Sequence, residues 1–328
     1  MPANAEDRRW LAAAARLAAR GSPSAHPNPA VGAILVAQGR VLGRGWTHPG
    51  GRPHAEAVAL AMAGEAARGG TLYVTLEPCA HAGGRGPACS ALIAASGIAR
   101  LVAAVRDPDP RTDGKGFAAA RAAGITADHV ACAAADESLA GYLTRARQAR
   151  PRVTLKLATS LDGMIALANG ASQWITGAPA RAHAHALRAR MDAVLVGGET
   201  LRADAPRLDV RLPGIDHVPR RWVLTRGGAP AGWSALADPA ALGTAMLQAH
   251  DLLIEGGGGA AAAFLAADLV DRLVIYRAPV LLGSGRPAIG SLGLTALDGV
   301  HGKWVLSERR QLGSDTLEVY SRVRCSQA

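Results

Sequence analysis

Three metal-ligand side chains and one carboxylate, all in the first third of the chain, constrain its fold more than any other sequence feature. His54 and Glu56 stand two residues apart, Cys79 follows a proline, and Cys89 comes after a loop rich in glycine and proline. One imidazole and two thiolates give zinc three protein ligands and leave its fourth position open. The fold must therefore bring a helix start near residue 54, a strand end near residue 79 and a second helix start near residue 89 to one point.

An open zinc position beside a carboxylate predicts removal of an exocyclic amine from a pyrimidine or purine ring. Glu56 is the predicted proton shuttle, and zinc would lower the pKa of the attacking water to about 7. A closed zinc knuckle with His81 as fourth ligand, or no metal at all, are the other interpretations, and neither needs Glu56. The nine residues between Cys79 and Cys89 differ from the Pro-Cys-x-x-Cys spacing of most nucleic-acid and nucleoside deaminases.

Length, charge and cysteine usage narrow the class of protein. The chain has 328 residues, which is enough for two domains, and a net charge of +10, which suits a phosphorylated substrate and an anionic cofactor. No basic block with interleaved aromatic residues predicts a nucleic-acid partner. Two of the four cysteines belong to the zinc pattern, which favours a reducing compartment. Without a signal-peptide pattern or a membrane-length apolar run, we expect a cytoplasmic protein with no membrane partner.

Strands and helices alternate along both halves of the chain, which predicts α/β domains. Proline commonly ends the helix before it, so the pair Arg150-Pro151 predicts domains at residues 1–150 and 151–328. In the first domain we predict helices over 5–20, 54–68, 89–96, 116–123 and 136–150, and strands over 31–37, 40–45, 71–76 and 100–105. In the second we predict strands over 153–158, 192–196, 221–225, 251–254, 272–278, 303–307 and 316–322. We also predict a helix over 179–191, a helix that follows the glycines at 256–259 and ends at 267, and long loops over 226–237 and 283–302.

A run of glycines from Gly256 to Gly259 follows a predicted strand and opens a helix. Glycines at such a place let backbone N–H groups approach a pyrophosphate at the helix start. The run does not match Gly-x-Gly-x-x-Gly, and a flexible turn is its other interpretation. The glycines therefore indicate a dinucleotide loop only in combination with other motifs.

Several motifs in one order give the chain a resemblance that covers nearly its whole length. The motifs are HPNPAVG at 26–32, PHAE at 53–56, TLEPCAH at 75–81, DPDP at 107–110, KLATSLDG at 156–163, SQWIT at 172–176, TLRAD at 200–204 and EGG at 255–257. With these motifs the chain resembles the bifunctional deaminase/reductases of riboflavin biosynthesis. The resemblance implies a cytidine-deaminase-like three-layer domain followed by a dihydrofolate-reductase-like domain.

The resemblance also implies an activity for each domain. The first would deaminate a diaminopyrimidinone that carries a phosphoribosylamino tail, and the second would reduce the ribosyl group to ribityl with NADPH. The expected partner is thus a small phosphorylated pyrimidine, with zinc and NADPH as cofactors, and the expected assembly is a homodimer. A tRNA or nucleoside deaminase with an accessory domain, and a non-catalytic zinc-stabilised scaffold, are the competing interpretations.

The motifs assign roles to individual residues. By this resemblance, His54, Cys79 and Cys89 bind zinc and Glu56 moves the proton. Cofactor contacts fall on Ala158, Trp174, Thr200, Asp204, Thr225, Gly257, Gly258 and Gly259, and substrate contacts on Asn28, His81, Arg85, Asp107, Ser172, Arg188, Leu208, Arg211 and Glu255. The three arginines are the expected phosphate partners, because a guanidinium binds phosphate through paired hydrogen bonds. Lys156 and Asp162 are the candidate proton donors of the reduction.

Overall fold

The computed structural model describes residues 5–81 and 86–323 of the chain. They form two units that divide between Gln148 and Ala149, just before the predicted boundary at Arg150-Pro151. The longest described helix has 14 residues, and no described helix has both the length and the apolar character needed to cross a membrane.

The first unit is built on a five-stranded mixed sheet. Its strand order is β2-β1-β3-β4-β5, in which β1 is antiparallel to both of its neighbours and β3, β4 and β5 are parallel. The strands are β1 (Gly32–Ala37), β2 (Arg40–Trp46), β3 (Thr71–Leu76), β4 (Arg100–Val105) and β5 (Thr126–His129). The helices are α1 (Ala5–Ala18), α2 (Ala55–Ala63), α3 (Cys89–Ala95), α4 (Lys115–Ala122), α5 (Ala133–Ser138) and α6 (Ala140–Gln148), with 3-10 turns at Pro49–Gly51 and Gly64–Ala67.

Two glycines show that helices cover both faces of this sheet. A Cβ at Gly32 would lie 1.9 Å from the carbonyl oxygen of Ala14 in α1, and a Cβ at Gly43 would lie 2.0 Å from that of Ala59 in α2. Gly43 pairs with Leu35 across the β1–β2 ladder. Because side chains alternate along a strand, positions 32 and 35 point to opposite faces. Helices α1 and α2 therefore pack on opposite sides, which gives the three layers implied by the resemblance.

The second unit is built on an eight-stranded sheet with the order β10-β9-β8-β11-β6-β12-β15-β14. The strands from β10 to β12 in that order are parallel, and β15 and β14 add antiparallel pairs. The strands are β6 (Arg152–Thr159), β7 (Met164–Ala166), β8 (Ala193–Gly197), β9 (Arg220–Leu224), β10 (Ser234–Leu236), β11 (Asp251–Ile254), β12 (Arg272–Arg277), β13 (Arg286–Pro287), β14 (Trp304–Leu312) and β15 (Asp315–Arg322). The helices are α7 (Ala178–Arg188), α8 (Gly198–Asp204), α9 (Leu242–Ala245) and α10 (Gly258–Ala266), with a 3-10 turn at Pro239–Ala241; β7 and β13 form a separate pair.

Apolar cores lie on both faces of the eight-stranded sheet. Leu195 belongs to the core that contains Phe264 of α10, while its neighbour Val194 belongs to the core that contains Leu187 of α7. This alternation is what buried parallel strands require. The carboxyl ends of β6, β8 and β11 consequently lie side by side at one edge of the sheet, where parallel sheets commonly hold ligands.

The structure differs from the sequence prediction in several elements. The predicted helix over 136–150 is two helices, because Leu139 adopts a non-helical conformation (φ −103°, ψ 1°) and is buried in the core. The predicted loop over 226–237 contains the short strand β10, and the predicted loop over 283–302 contains β13. Helix α8 and strand β5, for which the sequence pattern gave no prediction, complete the two sheets and their crossovers.

Two candidate active sites

The predicted zinc ligands meet at one end of the first sheet. His54 immediately precedes α2 in an extended conformation (φ −73°, ψ 160°), Cys79 follows β3, and Cys89 is the first residue of α3. The carboxyl end of β3 thus faces the amino-terminal ends of two helices. Ligand atoms of the three residues all lie within 4.8 Å of one another. Among the described residues, this is the one His/Cys/Asp/Glu group arranged to hold a metal.

Hydrogen bonds among these three side chains favour a thiolate. His54 Nδ1 lies 3.3 Å from Cys89 Sγ and 3.6 Å from Cys79 Sγ, and the backbone N–H of Cys89 donates to Cys79 Sγ at 3.3 Å. The hydrogen bond from the Cys89 thiol, aided by His54, lowers the pKa of Cys79 well below its ordinary value, while sharing its proton with Cys79 raises the pKa of Cys89. One imidazole and two thiols, one of them readily ionised, form a donor set that fits zinc.

Glu56 stands beside these ligands as the second residue of α2 and is only 3 % exposed. Burial raises the pKa of its carboxyl group, although the nearby His54 opposes that shift. A carboxyl group with a raised pKa can both take and return a proton near neutral pH. The carboxylate is therefore positioned for the proton transfer predicted from the sequence.

A cavity of about 320 Å³ opens in front of these residues. Asn28 donates to the carbonyl oxygen of Gly51 at 2.9 Å, and its Nδ2 lies 3.2 Å from His54 Nε2. The imidazole of a predicted metal ligand therefore contacts a predicted substrate residue. Of the predicted residues the cavity brings together Asn28, His54, Glu56, Cys79, His81 and Asp107. Arg85 lies outside the described residues.

The same cavity contains residues that the sequence analysis missed. Tyr142 of α6 donates its hydroxyl hydrogen to Asp107 at 2.6 Å, and both Asp109 and Arg111 also line the cavity. Burial raises the pKa of Asp107. Asp109 could have been found from the sequence, because it belongs to the DPDP motif at 107–110. No spacing pattern in the sequence connects Tyr142 to that motif.

Glu77, between β3 and the predicted zinc ligand Cys79, holds the loop that carries Asp107. Its side chain is buried and accepts four backbone N–H groups. The donors are the N–H groups of Asp107 (3.3 Å), Gly114 (3.0 Å), Gly116 (2.9 Å) and Phe117 (3.3 Å). A single carboxylate therefore fixes both ends of the segment from residue 107 to 117.

Replacing Glu77 by glutamine is expected to lower the free energy of unfolding by about 1–3 kcal/mol, because the amide would face buried N–H donors with its own hydrogens. Loosening the loop should also raise the KM for deamination through Asp107. Urea unfolding and steady-state ammonia release measure the two effects. Asp113→Asn is the control, since Asp113 lies on the same loop but makes an exposed pair with Arg106 at 2.7 Å; equal effects of the two variants would contradict this role for Glu77.

A second cavity, of about 460 Å³, lies at the carboxyl ends of β6, β8 and β11. From the predicted set it brings together Ala158, Ser172, Thr200, Asp204, Glu255, Gly257, Gly258 and Gly259. Lys156 and Arg286 also line it. The backbone N–H of Gly257 donates to Thr200 Oγ1 at 3.1 Å, which joins the glycine run to α8.

The glycine run brings backbone without side chains to the wall of this cavity. Gly257 precedes α10 in an extended conformation, and Gly258 begins the helix. A Cβ at Gly258 would lie 2.7 Å from the carbonyl oxygen of Pro287, and a Cβ at Gly256 would lie 2.9 Å from the Ala260 side chain. A side chain would collide with the protein's own atoms at either position. Gly257, Gly258 and Gly259 line the cavity, where a phosphate would approach the start of α10.

Glu255 forms a buried ion pair on the wall of this cavity. Arg188 Nε lies 2.7 Å from Glu255 Oε1 and Arg188 Nη2 lies 3.0 Å from Oε2, while Lys156 Nζ lies 3.8 Å from Oε2. Burial opposes ionisation of Glu255, but Lys156 and Arg188 together hold its pKa below the ordinary value. In the structure the guanidinium of Arg188 pairs with Glu255, and its predicted contact with substrate phosphate stays a prediction.

Other predicted residues lie outside the second cavity. Trp174 is 66 % exposed, Leu208 is buried in the apolar core, and Arg211 is exposed and paired with a neighbouring carboxylate. Thr225 lines another cavity, on the opposite side of α8. Asp162, a candidate proton donor, accepts hydrogen bonds from a serine hydroxyl and from the backbone of the 282–283 loop. Lys156 is thus the one of the two candidates that lines the cavity.

Comparison with known protein families divides the chain in the same way as its fold. Residues 4–105 match the family model of the cytidine and deoxycytidylate deaminase zinc-binding region. Residues 151–233 and 240–317 match the model of the RibD C-terminal domain. The two matches fall on the two units and on the two candidate sites.

Similar proteins cover nearly the whole chain. The riboflavin biosynthesis protein RibD of Escherichia coli is 36% identical over 94% of this chain and 98% of its own length, and that of Aquifex aeolicus is 36% identical over 89% and 92%. The solved structure of Acinetobacter baumannii RibD matches with a TM-score of 0.87 at 35% identity, covering 97% of this chain and 99% of that one. A diaminohydroxyphosphoribosylaminopyrimidine deaminase/5-amino-6-(5-phosphoribosylamino)uracil reductase from Thermotoga maritima matches with a TM-score of 0.87 at 30% identity, over 97% and 99%.

Proposed function

The chain belongs to the RibD family of bifunctional deaminase/reductases of riboflavin biosynthesis, and we propose that its two cavities are the two active sites. In this proposal the first unit deaminates 2,5-diamino-6-(5-phosphoribosylamino)pyrimidin-4-one. The second unit then reduces the ribosyl group of the product to ribityl with NADPH. The observation that carries the proposal is the meeting of His54, Cys79 and Cys89 beside the buried Glu56 at the wall of one cavity.

In the deaminase site, the side chains of His54, Cys79 and Cys89 would hold zinc, which supplies Lewis acidity there when bound. Glu56 takes a proton from the attacking water and returns protons to the ring nitrogen and to the departing amine. Its raised pKa suits both directions of transfer. Asp107, held by Tyr142, orients the pyrimidine in the cavity.

In the reductase site, the N–H groups of Gly258 and Gly259 would bind the diphosphate of the nicotinamide cofactor, which supplies a hydride for C1′ of the ribose when bound. Lys156 donates the proton that the ribose ring oxygen needs when the ring opens. Glu255 keeps the Lys156 ammonium oriented from 3.8 Å away. Positioning, rather than covalent chemistry, is the contribution of the chain at this site.

The competing interpretations account for less of the molecule. A tRNA or nucleoside deaminase does not require the reductase half, which the family match includes. A zinc-stabilised scaffold does not require a buried Glu56 beside the ligands. A homodimer, as in the expectation from the resemblance, is part of the proposal and is tested by light scattering of the purified protein.

The test of the proposed function is to measure ammonia release and NADPH oxidation together, with the purified zinc-loaded protein and the diaminopyrimidinone ribosyl phosphate. We expect ammonia first and NADPH oxidation after it, in equal amounts. Ammonia without NADPH oxidation would contradict the assignment of the second cavity. If the zinc-loaded protein gave neither ammonia nor NADPH oxidation, the whole proposal would be contradicted.

A further inference from the structure

We propose that Arg202 recognises the 2′-phosphate of NADPH and thereby makes the reductase prefer NADPH to NADH. The inference rests on the proposed reductase function and adds a residue for which the family motifs give no assignment. Arg202 belongs to α8, whose two sides line different cavities. Thr200 and Asp204 face the cavity with the glycine run, whereas Gly198 and Arg202 face a cavity of about 830 Å³.

This third cavity, of about 830 Å³, is placed to receive the adenosine end of the dinucleotide. Thr225, a predicted cofactor residue, lines it directly after the carboxyl end of β9. Gly198 begins α8, and a Cβ there would lie 3.7 Å from the Thr225 Cβ. The neighbouring Thr200 is joined to Gly257 of the glycine run by a hydrogen bond of 3.1 Å. A dinucleotide with its diphosphate on that run therefore passes the start of α8 to reach Thr225.

The guanidinium of Arg202 folds back over the same point. The Cβ position of Gly198 lies 3.3 Å from Arg202 Nη1 and 3.7 Å from the Thr225 Cβ, so this guanidinium and the Thr225 side chain both border the point where the nucleotide would pass. On the other side of the helix, Glu199 pairs with Arg286 at 3.3 Å. Arg202 itself makes no ion pair with any of the described residues. It can therefore give paired hydrogen bonds to a phosphate that carries nearly two negative charges at neutral pH.

Two further arginines line the cavity but are engaged elsewhere. The side chain of Arg207 is 77% exposed and pairs with Asp209 at 3.1 Å. The Arg221 guanidinium lies over the Trp233 ring, 5.5 Å from its centroid. Arg202 is thus the cavity arginine that has neither an ionic nor a ring partner among the described residues and that borders the point between Gly198 and Thr225.

The test compares the binding of 2′,5′-ADP and 5′-AMP to the full-length protein by calorimetry, because these two nucleotides differ by the 2′-phosphate alone. We expect Arg202→Gln to raise the Kd for 2′,5′-ADP about tenfold, the scale of one charge-assisted contact, and to change the Kd for 5′-AMP less than about twofold. Arg207→Gln is the matched control and should shift both values less than about twofold. The same variants should change the Kd for NADPH, but not for NADH, in the same order.

Equal effects of Arg202→Gln and Arg207→Gln would overturn the inference, since only the general positive field of the cavity would then matter. Wild-type protein that binds 2′,5′-ADP and 5′-AMP equally would also overturn it. Failure of the proposed function has a different signature: wild-type protein would then bind neither NADPH nor NADH. A melting curve for each variant checks that the exposed substitutions leave the fold intact.

Discussion

A Glu56→Gln variant is expected to release ammonia about 10²- to 10⁴-fold more slowly than the wild-type protein, which is the usual contribution of a positioned general acid–base group. Glutamine has nearly the same size, so the buried position in α2 stays filled. It cannot accept the proton of the attacking water or return it. Ammonia release by full-length protein, followed at saturating substrate, measures the loss.

The zinc content and the second activity separate lost chemistry from lost structure. Metal analysis of the Glu56→Gln variant should match the wild-type protein, because His54, Cys79 and Cys89 are unchanged. Reduction of the already deaminated substrate should also be retained. Glu65→Gln is the matched control, since Glu65 lies just beyond α2 with a 92% exposed side chain. Ammonia release by the Glu56 variant within about tenfold of wild type would contradict the proton-shuttle role.

The chemistry at residues 54 to 89 was predictable because zinc constrains both residue type and geometry. A His, a Glu and two Cys in that order admit few interpretations, and the structure places all three predicted ligands within 4.8 Å. Strands such as 71–76 and 100–105 were predicted to the residue, since both are buried apolar runs with clear ends. Local sequence was sufficient wherever one element or one motif carried the signal.

Contacts between distant segments were not predictable from local patterns. The hydrogen bond from Tyr142 to Asp107 crosses 35 positions, and the pairing of Arg188 with Glu255 crosses 67. For Arg188, the resemblance predicted a substrate contact, but no local pattern indicated that its guanidinium also pairs with Glu255. The strand β10 was missed because Ser234–Leu236 is short and only its last residue is buried. Such features are set by tertiary packing, which a single sequence does not display.

The Arg188–Glu255 pair links the stability of the second unit to its proposed chemistry. Both side chains are about one-tenth exposed (11% and 10%), so the charges are largely removed from water. A buried ion pair adds little compared with apolar packing, yet removing one partner leaves an uncompensated charge. Glu255 also faces Lys156, and its loss would leave two cations side by side at the cavity wall.

Replacing Glu255 by glutamine is expected to lower the free energy of unfolding at pH 7 by about 3 kcal/mol and to slow hydride transfer strongly, while ammonia release continues. The amide keeps one acceptor for Arg188 but cancels neither positive charge. Urea unfolding followed by circular dichroism measures the first effect, and NADPH oxidation with deaminated substrate measures the second. Glu199→Gln is the stability control, because its pair with Arg286 is exposed and should contribute less than about 1 kcal/mol.

The pH dependence of the stability difference between wild type and Glu255→Gln identifies the charge of Glu255 as the source of that difference. The folded protein holds the pKa of Glu255 below the ordinary value of 4.5, against burial and through Lys156 and Arg188. A carboxyl group with a lowered folded pKa stabilises fully above its unfolded pKa, and this contribution is lost as the pH falls through the folded value. The stability gap between wild type and Glu255→Gln should therefore stay constant from pH 7 to about pH 5 and shrink below pH 4.5. A gap that persisted undiminished in acid would show that packing, not the carboxylate charge, produces it.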